Sequence, residues 1–246
     1  LGDIVLLTAL TRDLHATYPA RFDLEVNTNF RPVWYNNPYA KQVDSDPLIA
    51  KNRTIVTINY TAGIRRSQQG EKRHFINAFY DDFTKQTGIA VHPRKPHGDL
   101  HLVGEETERK IQWPYWVVLS GGKNDMTVKH WDHAKYQKVV DYLVVKGIRC
   151  VQAGSSERRH WHRPLDNAMR LVGQTPDLRQ FFSLIYHAEG VICGITSAMH
   201  IAACFNKPAV IVAGGREEPW FSGYTNAYKG LYGPVCEPIR VEHKFL

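Results

Sequence analysis

The second half of the chain alternates short apolar runs with amphipathic stretches. Gly190 to Cys193 reads as a buried strand, Ser197 to Phe205 as a short helix, and Ala209 to Ala213 as a second buried strand. Asn206-Lys207-Pro208 stops the helix, and Gly214-Gly215 closes the unit. Strand, short helix and strand in succession form a βαβ unit, which implies a parallel sheet. Upstream, Trp116 to Leu119 and Ile148 to Gln152 have the same strand character, and Tyr136, Val139, Val140 and Leu143 put one apolar stripe on the helix between them. Thr175-Pro176-Asp177 predicts a helix start with Thr175 as the hydroxyl cap, continued by Leu178, Phe181, Ile185 and Ala188. The expected order is that of a doubly wound α/β half.

The first half is a poorer version of the same pattern. Leu7, Leu10 and Leu14 mark a helix over Ile4 to Thr17, and Phe22, Leu24 and Val26 alternate with acids as a strand. Arg53 to Tyr60, rich in β-branched residues, predicts another strand, and His74 to Thr87 a helix stopped by Gly88. From Val91 to Gln112 the sequence is polar, proline-bearing and without period, the expected linker between a domain over residues 1–110 and one over 111–246.

Composition adds boundaries. The chain has 246 residues and 43% apolar content, enough for a sizeable core, and no apolar run approaches the ~20 residues needed to span a bilayer. Leu1-Gly2-Asp3 opens directly onto an amphipathic pattern, so no secretory leader is expected, and the start inside a turn suggests a missing leading strand. Cys150, Cys193, Cys204 and Cys236 lack paired spacing, which favours reduced thiols and a cytoplasmic protein. A formal charge of +7 suits an anionic partner, whether nucleotide, phosphorylated glycolipid or nucleic acid.

Candidate chemistry gathers at the turns. Thr196 and Ser197 sit where a strand gives way to a helix, so free amides and the helix dipole favour a phosphate there. Ser120, Gly121 and Gly122 follow another strand, where small residues let backbone N–H groups approach phosphate oxygens; Lys123 or Lys129 would supply the cation. Glu157 follows the Gly154 turn and reads equally as a ligand contact or as an acid in a first helical turn. His200 is either a ligand contact or a core histidine. Asp3 is either a general base or a helix-terminal acid. His160-Trp161-His162 and His130 with His133 lack a third ligand at metal spacing. The basic pairs Arg65-Arg66, Lys72-Arg73 and Arg94-Lys95 read as an anionic-acceptor surface or as a solvated face, and the sequons at Asn52 and Asn59 match by spelling alone.

Several of these residues together resemble glycosyltransferase family 9, the bacterial heptosyltransferases. Gly2-Asp3 opening the first helix, Lys129-His130-Trp131, and Thr196-Ser197-Ala198-Met199-His200-Ile201-Ala202-Ala203 followed by Lys207-Pro208 carry the resemblance. It implies two facing Rossmann-like domains (the GT-B arrangement), the amino-terminal one small and truncated. It also implies an inverting, metal-independent transfer of sugar from an ADP-heptose-like nucleotide diphosphate donor to a hydroxyl acceptor, with no further cofactor. By resemblance Asp3 is the catalytic base, and Ser120, Gly121, Gly122, Lys129, Glu157, Thr196, Ser197 and His200 hold the donor. The acceptor would be an anionic glycolipid or another hydroxyl compound, met in the cytoplasm or at the inner membrane face. Ile195 departs from the pattern: the family carries an Asp there that contacts heptose hydroxyls, which leaves the sugar open. Two alternatives stand beside this reading, a nucleic-acid base glycosyltransferase of the same fold and a non-catalytic nucleotide-sugar-binding module.

Overall fold

A computed structural model of the chain describes residues 1–43, 54–61, 65–66, 70–124, 129–214, 219–224 and 236–241. The sequon at Asn52, the strand start at Arg53, part of the loop from Gly121 to Val128, and Gly215 lie outside these residues, as does the side chain of Cys236. The first half contributes α1 (Gly2–Thr17), β1 (Glu25–Val26), β2 (Lys41–Gln42) and α2 (Ile76–Thr87), with single 3-10 turns at Arg31–Trp34 and Gly104–Thr107. Leu6, Leu10 and Leu14 form the buried stripe of α1, and α2 closes on Gly88 as its sequence predicts.

The second half contributes β3 (Tyr115–Leu119), β4 (Gly122–Lys123), α3 (His133–Val145), β5 (Arg149–Gln152), β6 (His160–Trp161) and β7 (Ala168–Arg170). It continues through α4 (Leu178–His187), β8 (Gly190–Gly194), α5 (Ser197–Cys204), β9 (Ala209–Gly214), α6 (Pro219–Ser222) and β10 (Cys236–Val241). The sheet order is β10-β9-β8-β3-β5-β7, and every pairing is parallel. Strands buried on both faces explain the unbroken apolar runs: every residue of β8 is buried. From β3 the chain winds out to β5 and β7, then returns to lay β8, β9 and β10 on the other side. The winding direction therefore reverses between β3 and β8.

Three local expectations change. Residues 54–60 turn Val56, Ile58 and Tyr60 toward the core, yet they form no strand, since no ladder to them exists among the described residues. The strand around Leu24 shortens to β1, a two-residue parallel pairing with β2. Asp177, not Thr175, caps α4, its carboxylate accepting the Gln180 amide at 2.8 Å. A carboxylate one residue nearer the helix serves the same orphan N–H and complements the dipole as well.

The polar stretch over 91–112 is tied down by side chains. Buried Arg179 on α4 donates to both Glu106 oxygens at 2.6 Å, to Pro32 O at 2.9 Å and to His101 O at 2.5 Å. The guanidinium holds the Glu106 carboxyl below its ordinary range. A second buried cluster joins α1 to residues 94–99: Arg12 pairs with Asp13 and Asp99, and Asp13 also accepts from Tyr80 Oη (2.7 Å) and the Arg94 amide (2.8 Å). One apolar core runs through both halves, with α1 packed against α5. Cys150, Cys193 and Cys204 are free thiols. No helix among the described residues is long and apolar enough to cross a membrane.

Candidate functional site

The strand order reverses between β3 and β8, and open α/β sheets bind ligands in the crevice beyond the carboxyl ends of the strands at such a point. Ser120 and Gly121 leave β3 there, and Ile195, Thr196 and Ser197 leave β8. Thr196 is the N-cap of α5 in extended conformation, makes no side-chain capping bond, and its buried Oγ1 has no hydrogen-bond partner among the described residues. The first amides of α5 thus keep their donor capacity at the positive end of the helix. Lys129 crosses the same edge, its Nζ 3.4 Å from the Ile195 carbonyl. Ile195 itself is buried in the core.

Asp3 reaches this edge because α1 and α5 meet at their amino ends. A methyl group on Gly2 would lie 2.7 Å from His200 Cδ2 and 3.4 Å from Ser197 Cα, so only glycine permits the approach. Leu1 is the N-cap of α1, which leaves Asp3 in the first turn rather than at the cap. Its Oδ2 accepts a hydrogen bond from Tyr60 Oη at 2.6 Å. Tyr60, packed edge-on against Phe79, is a site neighbour that motif reading missed; its signal was the inward alternation of Val56, Ile58 and Tyr60.

His200 is buried one turn into α5, with Nδ1 and Tyr224 Oη 2.5 Å apart and its ring edge-on to Phe75. Burial, then the nearby His74 and Lys129, push its pKa well below the ordinary value. A neutral imidazole therefore stands between the starts of the two helices.

The other candidates divide. Ser120 Oγ accepts from Gln152 Nε2 at 2.9 Å. Gln152 is fully buried and also bonds the Arg163 carbonyl (2.7 Å), the Leu165 amide (3.2 Å) and Arg170 (3.0 Å), a hub that no motif announced. Gly122 and Lys123 pair antiparallel with His160 and Trp161, so the Gly-Gly turn carries a two-stranded flap. Gly121 has its Cα against that flap, since a methyl group there would sit 1.9 Å from Trp161 O. Lys123 is exposed and close enough to the Leu1 amino group to help lower its pKa, behind burial, whereas Lys129 lies against the Ile195 carbonyl. Glu157 is exposed beyond β5, one strand away from the crevice, with His160 Nδ1 3.8 Å distant. Among the described residues no group of His, Cys, Asp or Glu is placed to hold a metal ion.

Comparison with known proteins follows the same lines. The sequence model of glycosyltransferase family 9 (heptosyltransferase) matches residues 51–236. Lipooligosaccharide heptosyltransferase 2 of Haemophilus ducreyi is 33% identical over 97 residues, covering 35% of this chain and 27% of that protein. The match thus spans about a quarter of that relative's length. The glycosyl transferase family 9 structure from Veillonella parvula aligns with 98% of this chain and 83% of its own at a TM-score of 0.68 and 14% identity. E. coli ADP-heptose lps heptosyltransferase II aligns with 98% of this chain and 87% of its own at 0.66 and 18%. E. coli TibC, described as dodecameric, iron-containing and in complex with ADP-D-beta-D-heptose, aligns with 94% of this chain and 61% of its own at 0.65 and 16%. At these identities the structures speak to the α/β fold.

Proposed function

The chain belongs to glycosyltransferase family 9, the heptosyltransferase family, and from that premise we propose that it moves a sugar from a nucleotide diphosphate donor to a hydroxyl acceptor. The observation that carries this reading is the meeting of α1 and α5 at the sheet's reversal point, where Gly2, the residue before Asp3, packs on Ser197 and His200 while Lys129 lies against the Ile195 carbonyl.

In the proposed reaction the acceptor O–H gives its proton to Asp3 as its oxygen bonds the anomeric carbon. The bond from that carbon to the diphosphate oxygen breaks, and its electron pair leaves with the diphosphate, so configuration inverts. The α5 amides, Thr196, Ser197 and Lys129 stabilise the charge growing on the leaving group, which is the larger contribution in reactions of this type. Ser120, Gly121 and Gly122 complete the donor edge, and Glu157 extends it toward the nucleoside. Tyr60 orients the Asp3 carboxylate, and His200 spaces the two helices. Residues 1–110 would present the acceptor and residues 111–246 the donor, in the GT-B manner. The names of the relatives favour an ADP-linked heptose and a lipooligosaccharide-type acceptor. Ile195, buried where the family's heptose-contacting acid stands, argues that the sugar is held through other groups.

The test is donor turnover by wild type and Asp3→Asn, with ADP-, GDP- and UDP-sugars. Wild type should transfer sugar, and Asp3→Asn should lose about 10²–10⁴ in kcat while keeping nucleotide affinity. Binding without turnover in wild type would leave a nucleotide-sugar-binding module. A chelator arm should leave the rate unchanged.

A further inference from the structure

The flap over the donor edge has two faces, and the reaction uses only the inner one. From Arg159 through His160, Trp161 and His162 to Arg163, exposure alternates residue by residue about the two-residue strand β6. His162 is buried and His160 half-buried, whereas Arg159, Trp161 and Arg163 are exposed. The inward ring of His162 sets this orientation by wedging between two turns. A methyl group on Gly121 would lie 2.9 Å from its Nδ1, and one on Gly154 2.2 Å from its Cε1. The Gln152 side-chain amide donates to Arg163 O (2.7 Å) and the Arg170 guanidinium to His162 O (3.2 Å), which holds the segment in place.

Register then strips cover from the outer face. Trp161 lies opposite Gly122, which has no side chain to shield an indole, and it is 58% exposed. Arg159 and Arg163 are exposed, and their side chains make no hydrogen bond or ion pair among the described residues. Two guanidinium groups two positions either side of one protruding indole form an outer face that neither the core nor the donor edge explains.

We propose that this outer face docks the protein on an anionic lipid bilayer. Indoles settle at the level of lipid headgroups, where an apolar ring and a polar N–H are both satisfied. Guanidinium groups pair two N–H bonds with one phosphate, so Arg159 and Arg163 match the headgroup layer that Trp161 would enter. The formal charge of +7 adds attraction of the same sign. Nucleic acid fits less well, since strands are gripped along a groove with repeated aromatic contacts, and this patch has a single indole.

Co-sedimentation with vesicles tests the surface, and it needs no sugar donor, so it is independent of the transfer reaction. Wild type should bind phosphatidylcholine vesicles containing phosphatidylglycerol, bind pure phosphatidylcholine weakly, and be released by high salt. Arg159→Ser and Arg163→Ser should each weaken binding about fivefold, and Trp161→Ala several-fold, all with wild-type melting temperature and nucleotide affinity. Equal binding to neutral vesicles, or anionic binding that these substitutions leave unchanged, overturns the proposal. So does tighter binding to duplex DNA than to vesicles, or a loss of nucleotide affinity in the arginine variants.

Discussion

The two halves of this protein hold their candidate groups in place by different means. From Tyr115 onward, position is set by backbone ladders: six parallel strands put Ser120, Gly121, Thr196 and Ser197 at one edge because register leaves them nowhere else to be. Before Tyr115 the described ladders amount to the two-residue pairing of β1 with β2, and position is set by side chains. Arg179 clamps Glu106 and two carbonyls, Arg12 and Asp13 bind residues 94–99, and Tyr60 reaches Asp3. A ladder spreads its stability over many weak bonds, whereas a buried ion pair concentrates it in one. The first half should therefore be the one that single substitutions can dislodge.

The most direct way to break this contrast is Arg179→Ala. It strands Glu106 and two carbonyls and should cost about 3 kcal/mol in urea denaturation. A loss below about 1 kcal/mol would mean that residues 91–112 are held by something other than the clamp. Gly2→Ala attacks the junction itself. The added methyl collides with His200 and should cost about 1–3 kcal/mol while lowering transfer more than tenfold. Equal activity would show that α1 and α5 need not touch for the site to form.

Acid sharpens the comparison, because buried histidines cluster at the junction and under the flap. Burial depresses His74 and His162 to about 4 and His200 well below its ordinary value. The unfolded chain binds these protons first, near pH 6.5, so stability should fall as pH drops from about 6.5 toward 4, by about 1.4 kcal/mol per pH unit for each histidine. Glu106 works in the same direction, its contribution being lost as pH falls through its lowered folded value. Denaturation midpoints measured between pH 7 and pH 4.5 check this, and a flat profile would contradict the burial of these rings. The smallest effect belongs to Tyr60→Phe, which removes one bond to Asp3. Transfer should fall about three- to tenfold with the melting temperature nearly unchanged.

Legibility followed the same divide. In the second half β3, β5, β8 and β9 and the helices between them were readable because buried parallel strands appear as apolar runs and because Gly and Pro punctuate their ends, whereas the edge strands β7 and β10 carry no such run. Residues 54–60 misled, since a run of β-branched residues reports local propensity and not whether a ladder partner exists. Gln152 and Arg179 gave no warning in the sequence, being polar residues inside strand and helix patterns whose partners lie far along the chain.

Local order in this chain determined the βαβ units, the helix starts, and the family motifs at Gly2-Asp3, Lys129 and Thr196-Ser197, because propensity, capping and periodicity act between residues only a few positions apart. Tertiary structure alone decided that the strand order reverses between β3 and β8, that Lys129 lies against the Ile195 carbonyl, and that Tyr60 meets Asp3. Those are contacts between distant segments, and they are selected by how whole surfaces pack rather than by any short stretch of residues.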